Sequence, residues 1–113
     1  MALFRCASGG GGQQDHQVLF DEHWAGTWSS DKATKEETAT VSGTCKVCYS
    51  TWASSATKVY KNNVEQTATF SSTRNYGFYT YHEFSVETGD VIKRTIASSG
   101  GSTINGLAVI IPS

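Results

Sequence analysis

From Gln17 onward, side chains alternate in character along most of the sequence, and this alternation limits the fold more than any other feature. It is clearest between residues 78 and 87. The even positions carry Phe78, Thr80, His82, Phe84 and Val86, and the odd positions carry Tyr79, Tyr81, Glu83, Ser85 and Glu87. Successive side chains of a strand point to opposite sides of its sheet, whereas a helix repeats every 3.6 residues. The pattern therefore predicts β-strands.

The composition agrees with a single strand-rich domain. The 113 residues include 14 Ser, 14 Thr and 12% aromatic residues but only three Leu, which is typical of strands and not of helices. A chain of this length forms one compact domain. The net charge of −1 argues against a nucleic-acid binder that depends on phosphate contacts. The longest apolar run, residues 107–111, is too short for a membrane span.

Turn-forming residues divide the sequence into seven or eight predicted strands. These lie within residues 18–28, 38–42, 45–52, 58–70 (a hairpin), 76–87, 91–97 and 103–111. The polar residues 29–37 are interpreted as a loop, with at most a turn or two of helix within 31–38. Short strands at this spacing are typical of antiparallel sandwiches and jelly rolls. We therefore predict an all-β fold, an antiparallel β-sandwich of jelly-roll type formed by residues 17–113.

The hairpin is the clearest local signal. Asn tolerates positive φ, so Asn62 and Asn63 can form the type I′ turn that suits strand twist. This turn places Lys61 opposite Val64, and the resulting alternation predicts one shared core side. That side carries Val59, Val64, Ala68 and Phe70.

The same alternation predicts the buried side of the other strands. The third strand has one side formed by Cys45, Val47, Tyr49 and Thr51, opposite Lys46, Cys48, Ser50 and Trp52. Further predicted core residues are Ile92, Ile96, Leu107, Val109, Ile111 and the three tryptophans, Trp24, Trp28 and Trp52.

Residues 1–16 form a separate, glycine-rich N-terminal arm. Gly9 to Gly12 are consecutive, and four glycines lose too much backbone entropy on ordering to form the interior of a strand or helix. Two interpretations stay open. The arm is either a disordered terminus or an assembly arm whose tip, Leu3 and Phe4, docks on a neighbouring subunit.

The three cysteines give no metal or cofactor site. Cys45 and Cys48 have the spacing of half a zinc knuckle, but no second ligand pair follows, and a redox pair needs a strand-to-helix context that is missing here. Residues 1–8 do not form a secretory signal, so we expect synthesis in a reducing compartment. An odd number of cysteines in that setting predicts structural thiols and no disulfide framework.

No set of residues predicts catalysis. The carboxylates of Asp21, Glu22, Glu36, Glu37, Glu83 and Glu87 are expected to be solvated at the surface. His82 shares its side with Phe78 and Phe84, which favours a hydrogen-bonded histidine at the edge of the core over a general base. No nucleophile-elbow motif selects one of the serines. We therefore predict a protein that is not an enzyme.

The tyrosines are the best candidates for binding. Tyr79 and Tyr81 lie on the polar side of their strand, and Tyr76 precedes it beside Arg74 and Asn75. Flat rings bind sugar rings and anchor protein interfaces, and the two polar side chains can hydrogen-bond a sugar or a partner backbone. These five residues form the predicted binding or interface site.

Residues 56–111 resemble the small β-sandwich domains of tailed-phage virion proteins. The resemblance is carried by the hairpin, by the strand that ends Phe84-Ser85-Val86, by the turn at Gly89-Asp90 and by the closing Gly106-Leu107-Ala108-Val109. Similar domains occur in tail, fibre and head-decoration proteins and in some carbohydrate-binding modules. The resemblance assigns no functional residue.

The resemblance implies a virion structural protein that self-assembles and contacts a host surface, with a carbohydrate-binding module as the alternative. The expected partners are further copies of this chain, other virion proteins and a host surface glycan. Such a protein is made in the bacterial cytoplasm and works in the virion, which reconciles an exposed type of composition with the missing secretory signal. A plain cytoplasmic sandwich stays open.

Overall fold

The computed structural model describes residues 16–27, 33–53, 55–74, 77–97 and 101–113, and these residues form strands without helices. The strands are β1 (Gln17–Thr27), β2 (Thr34–Thr38), β3 (Gly43–Trp52), β4 (Lys58–Lys61), β5 (Val64–Gln66), β6 (Phe70–Arg74), β7 (Gly77–Val86), β8 (Val91–Thr95) and β9 (Gly101–Pro112). The predicted arm, residues 1–16, lies outside the described ranges except for its last residue.

Two antiparallel sheets pack face to face. The five-stranded sheet has the order β1-β9-β3-β7-β6, and the four-stranded sheet has the order β2-β8-β4-β5. The chain passes back and forth between the sheets, and without the edge strand β6 the two orders are those of an eight-stranded jelly roll. The predicted fold class, an all-β antiparallel sandwich, is confirmed.

The second strand lies earlier in the chain than predicted. β2 occupies residues 34–38, where we expected a loop with a little helix, and residues 39–42 are not a strand. All five side chains of β2 are exposed, since this strand forms the outer edge of its sheet and pairs only with β8. An edge strand without a buried side has no apolar alternation, so the sequence pattern could not reveal it.

The predicted hairpin turn is confirmed. Asn62 and Asn63 have φ values of 51° and 67°, and Lys61 pairs with Val64 as expected. The turn is also held from outside, because the Asn62 side chain donates to Asp90 at 2.9 Å and accepts from the backbone of Val91 at 2.9 Å. The hairpin and the turn before β8 are therefore fixed to each other.

Two residues on the predicted core side of the hairpin are exposed. Val59 is fully buried, but Val64 is 63% exposed and Phe70 is 50% exposed. Val64 lies beside the turn on β5, the edge strand of the four-stranded sheet. Phe70 belongs to the other sheet, because residues 67–69 interrupt the strand and carry the chain across.

On the last strand the side that faces the other sheet is opposite to the one predicted, although Val109 of the predicted side is also buried. The predicted core residues Leu107, Val109 and Ile111 lie on the outer side or at its margin, and the inner positions are Ile104, Gly106, Ala108 and Ile110. Both sides of β9 are apolar, so the choice depends on shape. A Cβ atom at Gly106 would overlap the ring of Tyr49, which is fully buried beside it. Only a glycine at this inner position leaves room for that ring.

The core between the sheets is otherwise apolar. The buried cluster comprises Leu19, Phe20, Ala39, Cys45, Val47, Tyr49, Val59, Val86, Ile92, Ile96, Ile104, Ala108 and Ile110. This confirms the predicted inner sides of β3 and β8. Trp24 is half-buried against the cluster, and Trp28 lies outside the described residues.

An ion pair connects the sheets through this core. Arg94 of β8 is completely buried and donates two hydrogen bonds to Glu22 of β1, one of them from Nε at 2.8 Å. The Tyr49 hydroxyl donates to the same carboxylate, and the guanidinium lies 5.7 Å from the centre of the Tyr49 ring. Glu22 was expected at the surface, and that expectation is wrong.

The pair keeps its charges despite its burial. Burial alone raises the pKa of Glu22, but the hydrogen bonds from Arg94 and Tyr49 outweigh it and hold that pKa below its usual range. Burial also raises the pKa of Tyr49, and the neighbouring Glu22 carboxylate raises it further. The carboxylate therefore stays ionised and the phenol stays protonated at neutral pH.

Removing one member of the pair should destabilise the fold strongly. Arg94→Leu leaves the Glu22 charge buried without compensation, and we expect a loss of about 3–5 kcal/mol in the free energy of unfolding, measured in urea. The neighbouring Lys93→Leu, which removes a half-exposed side chain, should cost less than about 1 kcal/mol. The double variant Glu22→Leu/Arg94→Leu should regain most of the loss. An Arg94→Leu protein as stable as the Lys93→Leu control would contradict this account.

The space at Gly106 can be tested by adding one methyl group. Gly106→Ala forces the Tyr49 ring to move, and we expect about 2 kcal/mol or more of destabilisation by thermal or urea unfolding. Combining it with Tyr49→Phe, which keeps the ring, should not rescue it, whereas Tyr49→Val should rescue it in part. Gly89→Ala is the control for a glycine with open space around its Cβ position, although its φ of 99° adds backbone strain. Equal stability of Gly106→Ala and wild type would disprove the close approach.

Candidate functional site

Four large rings lie on the outer side of the five-stranded sheet, the side that faces away from the core. We call this group the aromatic face, and it consists of Trp52, Phe70, Tyr79 and Tyr81. The register explains the grouping. Tyr81 pairs with Phe70 of β6 on one side and with Cys48 of β3 on the other, and Tyr79 pairs with serines on both sides. The rings therefore cross three neighbouring strands.

The rings differ in exposure. Trp52 is 55% exposed and Phe70 is 50% exposed, whereas Tyr79 and Tyr81 are half-buried. Phe70 meets Tyr79 edge to face, with ring centres 6.0 Å apart and planes inclined by 62°. Edge-to-face pairs of this kind restrain both rings. Part of the aromatic face is therefore ordered in advance of any binding event.

The two tyrosines act as hydrogen-bonding groups and not as nucleophiles. Burial raises the pKa of both phenols, and for Tyr81 the adjacent Glu83 carboxylate, which accepts its hydroxyl at 2.7 Å, raises it further. Tyr79 has its hydroxyl 3.3 Å from the sulfur of Cys48. Both phenols remain protonated at neutral pH.

A cavity of about 500 Å³ opens at one end of the aromatic face. Its lining combines rings and hydroxyl groups, namely Ser50, Thr51, Trp52, Ser72, Gly77, Phe78 and Tyr79. Thr51 contributes a buried hydroxyl oxygen that has no hydrogen-bond partner within the described part of the chain. Apolar walls with a few polar groups are the usual chemistry of small-ligand sites.

The structure places only some of the predicted site residues. Tyr79 and Tyr81 share the outer side of β7, and Arg74 ends β6, with its side chain outside what the structure describes. Asn75 and Tyr76, like the predicted assembly residues Leu3 and Phe4, lie outside the described residues.

Sequence reasoning missed two members of the aromatic face. Trp52 was expected in the core and is exposed, which is a correction to that expectation. The alternation in β3 contained the signal, because Trp52 falls on the side of Lys46 and Ser50. The sequence did not indicate the position of Phe70, because the sheet side that it occupies depends on where the chain crosses from one sheet to the other.

The two nearby cysteines have different surroundings. Cys45 is a free thiol in the core, and burial raises its pKa to about 12, so it is not reactive. Cys48 points outward, is only 4% exposed, and is disulfide-bonded. Our expectation that disulfides are absent is therefore wrong for Cys48. The redox compartment expected from the sequence does not determine whether one particular cysteine lies close enough to another to form a disulfide.

A second cavity, of about 430 Å³, lies where the chain crosses from β5 to β6. Its lining includes His82 and Thr57, which are 2% and 3% exposed. His82 Nδ1 and Thr57 Oγ1 have no hydrogen-bond partner among the described residues. Burial lowers the pKa of His82, although the Glu65 carboxylate and the backbone of Gln66 oppose this. The histidine is neutral at pH 7 and is buried more deeply than a core-edge residue.

Metal-binding clusters and membrane-spanning helices are absent from the described ranges. No cluster of three or more His, Cys, Asp or Glu side chains there is arranged to hold a metal ion. No helix there is long and apolar enough to cross a bilayer. Comparison with protein-family models, with curated proteins and with solved structures finds no match. The site must therefore be judged on its own geometry.

The burial of His82 predicts a pH-dependent stability. Its pKa is lower in the folded than in the unfolded protein, so the unfolded state binds the proton first as pH falls. Stability from this group is present above the ordinary histidine pKa of about 6.5 and is lost as pH falls below it. Urea unfolding at several pH values should show a flatter profile for His82→Gln than for wild type. Identical profiles for His82→Gln and wild type would contradict this assignment.

Proposed function

We propose that this protein is a non-catalytic structural protein of a phage or prophage virion, of the tail, fibre or capsid-decoration type, that acts by self-assembly and host-surface contact. The observation that carries the proposal is the aromatic face. A sheet that exposes large rings outward is suited to adhesion, because aromatic side chains dominate the energetics of protein interfaces.

The open sheet edges support assembly. β2 exposes all its side chains at one edge of the four-stranded sheet, and β6 forms an edge of the five-stranded sheet next to Phe70. Strand edges have unpaired backbone groups, and neighbouring subunits are one means of covering them. Assembly through the β6 edge would bring Phe70 and Tyr79 into the interface.

The disulfide at Cys48 supports a working place outside a reducing compartment. Disulfides persist on virion and cell surfaces and are rare in the cytosol. A virion protein is made in the cytosol and is exposed to oxidising surroundings after release. Such a change of surroundings is consistent with a domain in which Cys45 is a free buried thiol and Cys48, on the outer side of the sheet, is disulfide-bonded.

A carbohydrate-binding module is the second candidate, and the cavity beside Trp52 favours it. The indole and the Tyr79 ring both line this cavity, together with Ser50 and Ser72. Sugars bind to such sites by stacking on rings while side-chain hydroxyls bond the sugar hydroxyls. Both functions would use the same surface, so they differ in what binds there: another protein subunit in one case and a sugar in the other.

Variants of the aromatic face test both functions. We expect wild type to self-associate in sedimentation equilibrium, and Trp52→Ala/Phe70→Ala to weaken that association at least tenfold, since Trp is enriched among the interface residues whose truncation costs about 2 kcal/mol or more. Tyr60→Ala, on the four-stranded sheet, is the matched control and should change it less than threefold. Mass spectrometry of purified particles from a host that carries the gene should detect the protein.

The outcomes separate the two candidates. Specific binding on a glycan array that is lost in Trp52→Ala, from a protein that stays monomeric and is missing from particles, supports the carbohydrate-binding module. A monomer that binds no glycan and is missing from particles would contradict both.

A further inference from the structure

The open edge of β2 has a charge pattern that is complementary to itself. Among the described strands β2 pairs only with β8, and its residues are Thr, Lys, Glu, Glu and Thr. An antiparallel second copy centred on Glu36 places each Lys35 opposite a Glu37. We propose that two copies of this chain associate through their β2 strands in this register, with Glu36 opposite Glu36. The inference rests on the proposed self-assembly, of which it specifies one contact.

The backbone of β2 presents the groups that this pairing needs. The Ala39 N–H donates to Asp90 at 2.8 Å, and the Ala33 carbonyl accepts from Ile96 at 2.9 Å. The odd-numbered residues of β2 therefore bond to β8, since the direction of bonding alternates along an antiparallel strand. The N–H and C=O groups that point to the open edge belong to Thr34, Glu36 and Thr38.

Pairing about Glu36 uses these outward groups. Each Glu36 N–H donates to the Glu36 carbonyl of the second copy, and each Thr38 N–H donates to the Thr34 carbonyl. Two bonds of each kind form between the strands. The Thr38 carbonyl already accepts from the Gln17 side chain at 2.9 Å, and a carbonyl oxygen has a second lone pair for the Thr34 N–H. The two four-stranded sheets would join into one sheet across the contact.

The side chains favour this register over the others that the backbone allows. Lys35 and Glu37 form two pairs in the positions without hydrogen bonds, where facing Cα atoms are only about 4.5 Å apart. Moving the centre by one residue places Lys35 opposite Lys35, or Glu37 opposite Glu37. Like charges directly opposite each other are unfavourable, whereas opposite charges stabilise the pair. Registers further away pair a single outward residue of β2.

The facing Glu36 side chains are the unfavourable feature of this register. They occupy a hydrogen-bonded position, where facing Cα atoms are about 5.5 Å apart and the side chains are less close. Lys93 of β8 lies next to Glu36 in the sheet, so the row across the contact has a lysine at each end. Charges on an edge strand generally oppose pairing. Here they oppose the shifted registers more than the centred one.

The contact is small and depends on the number of copies. Two strands of five residues form less than a standard protein interface of roughly 1,600 Å². We therefore expect a weak dimer in solution. Repeated copies in an assembly raise the effective concentration of such contacts, so a weak edge contact contributes there.

Charge exchange between two variants tests the pairing. The background is Trp52→Ala/Phe70→Ala, which removes contacts through the aromatic face, and sedimentation equilibrium measures the dimer that remains. We expect Lys35→Glu and Glu37→Lys each to weaken this dimer at least tenfold, because each variant places like charges opposite at two points. An equimolar mixture of the two variants should dimerise as well as the parent, since the chains are then complementary. Lys46→Glu, an exposed charge reversal on β3, is the matched control and should change the dimer less than threefold.

Folding of the variants is checked by thermal unfolding. Lys35 helps to hold the pKa of Glu22 below its usual range, so Lys35→Glu places a negative charge near that carboxylate. If Lys35→Glu does not fold, Glu37→Lys and Glu36→Gln decide the question. Glu36→Gln removes the central repulsion and should strengthen the dimer at least twofold, whereas in the shifted registers Glu36 faces a threonine. An unchanged dimer in Glu37→Lys, or a weaker one in Glu36→Gln, would overturn the proposal.

Amide hydrogen exchange in the same background identifies the backbone groups that pair. We expect exchange at the Glu36 N–H to slow in proportion to the dimer fraction as concentration rises, whereas the Lys35 and Glu37 N–H groups, which bond to β8, are protected throughout. Slow exchange at Glu36 in dilute protein would mean that the same chain covers the edge. That result, or a protein that stays monomeric at every concentration, would overturn the proposal. Loss of glycan binding, or absence from particles, would bear on the proposed function and not on this pairing.

Discussion

The packing of the two sheets depends on one buried contact, in which Arg94 reaches from the four-stranded sheet to Glu22 and Tyr49 of the other. Apolar side chains can pack in many relative positions at similar cost, because burial of apolar area is not directional. A charged pair with two hydrogen bonds tolerates little displacement. Such a pair adds little net stability after desolvation, and its directed hydrogen bonds favour the relative position of the layers in which they form.

Features set by neighbouring residues were predictable from the sequence, and features set by the second layer were not. Asn62 and Asn63 determine their turn locally, so the hairpin and its register were correct. Arg94 shares the alternation of Ile92 and Ile96, but its charge argued against burial, and only the approach of Glu22 from another strand reverses that argument. β2 has no buried side, so its residues gave no pattern to detect.

Two of the four rings of the aromatic face could be predicted from the sequence. Tyr79 and Tyr81 followed from alternation, and the same rule applied to β3 places Trp52 beside them, although the preference of Trp for the interior hid it. Phe70 and the disulfide at Cys48 depend on where separate segments meet, and spacing along the chain does not encode that. The aromatic face is therefore a property of three strands together, which is why no short motif identifies it.

The two apolar sides of β9 have a consequence for how the chain folds. Shifting this strand by one residue would turn Leu107, Val109 and Ile111 inward, with an apolar surface comparable to that of the native set. Such a slipped chain is a competing compact state, and hydrophobic collapse alone does not reject it. A one-residue shift would place a residue with a Cβ atom against the Tyr49 ring, whereas Gly106 leaves that space open. The glycine therefore favours the native alignment by a steric effect that the apolar pattern of the strand does not contain.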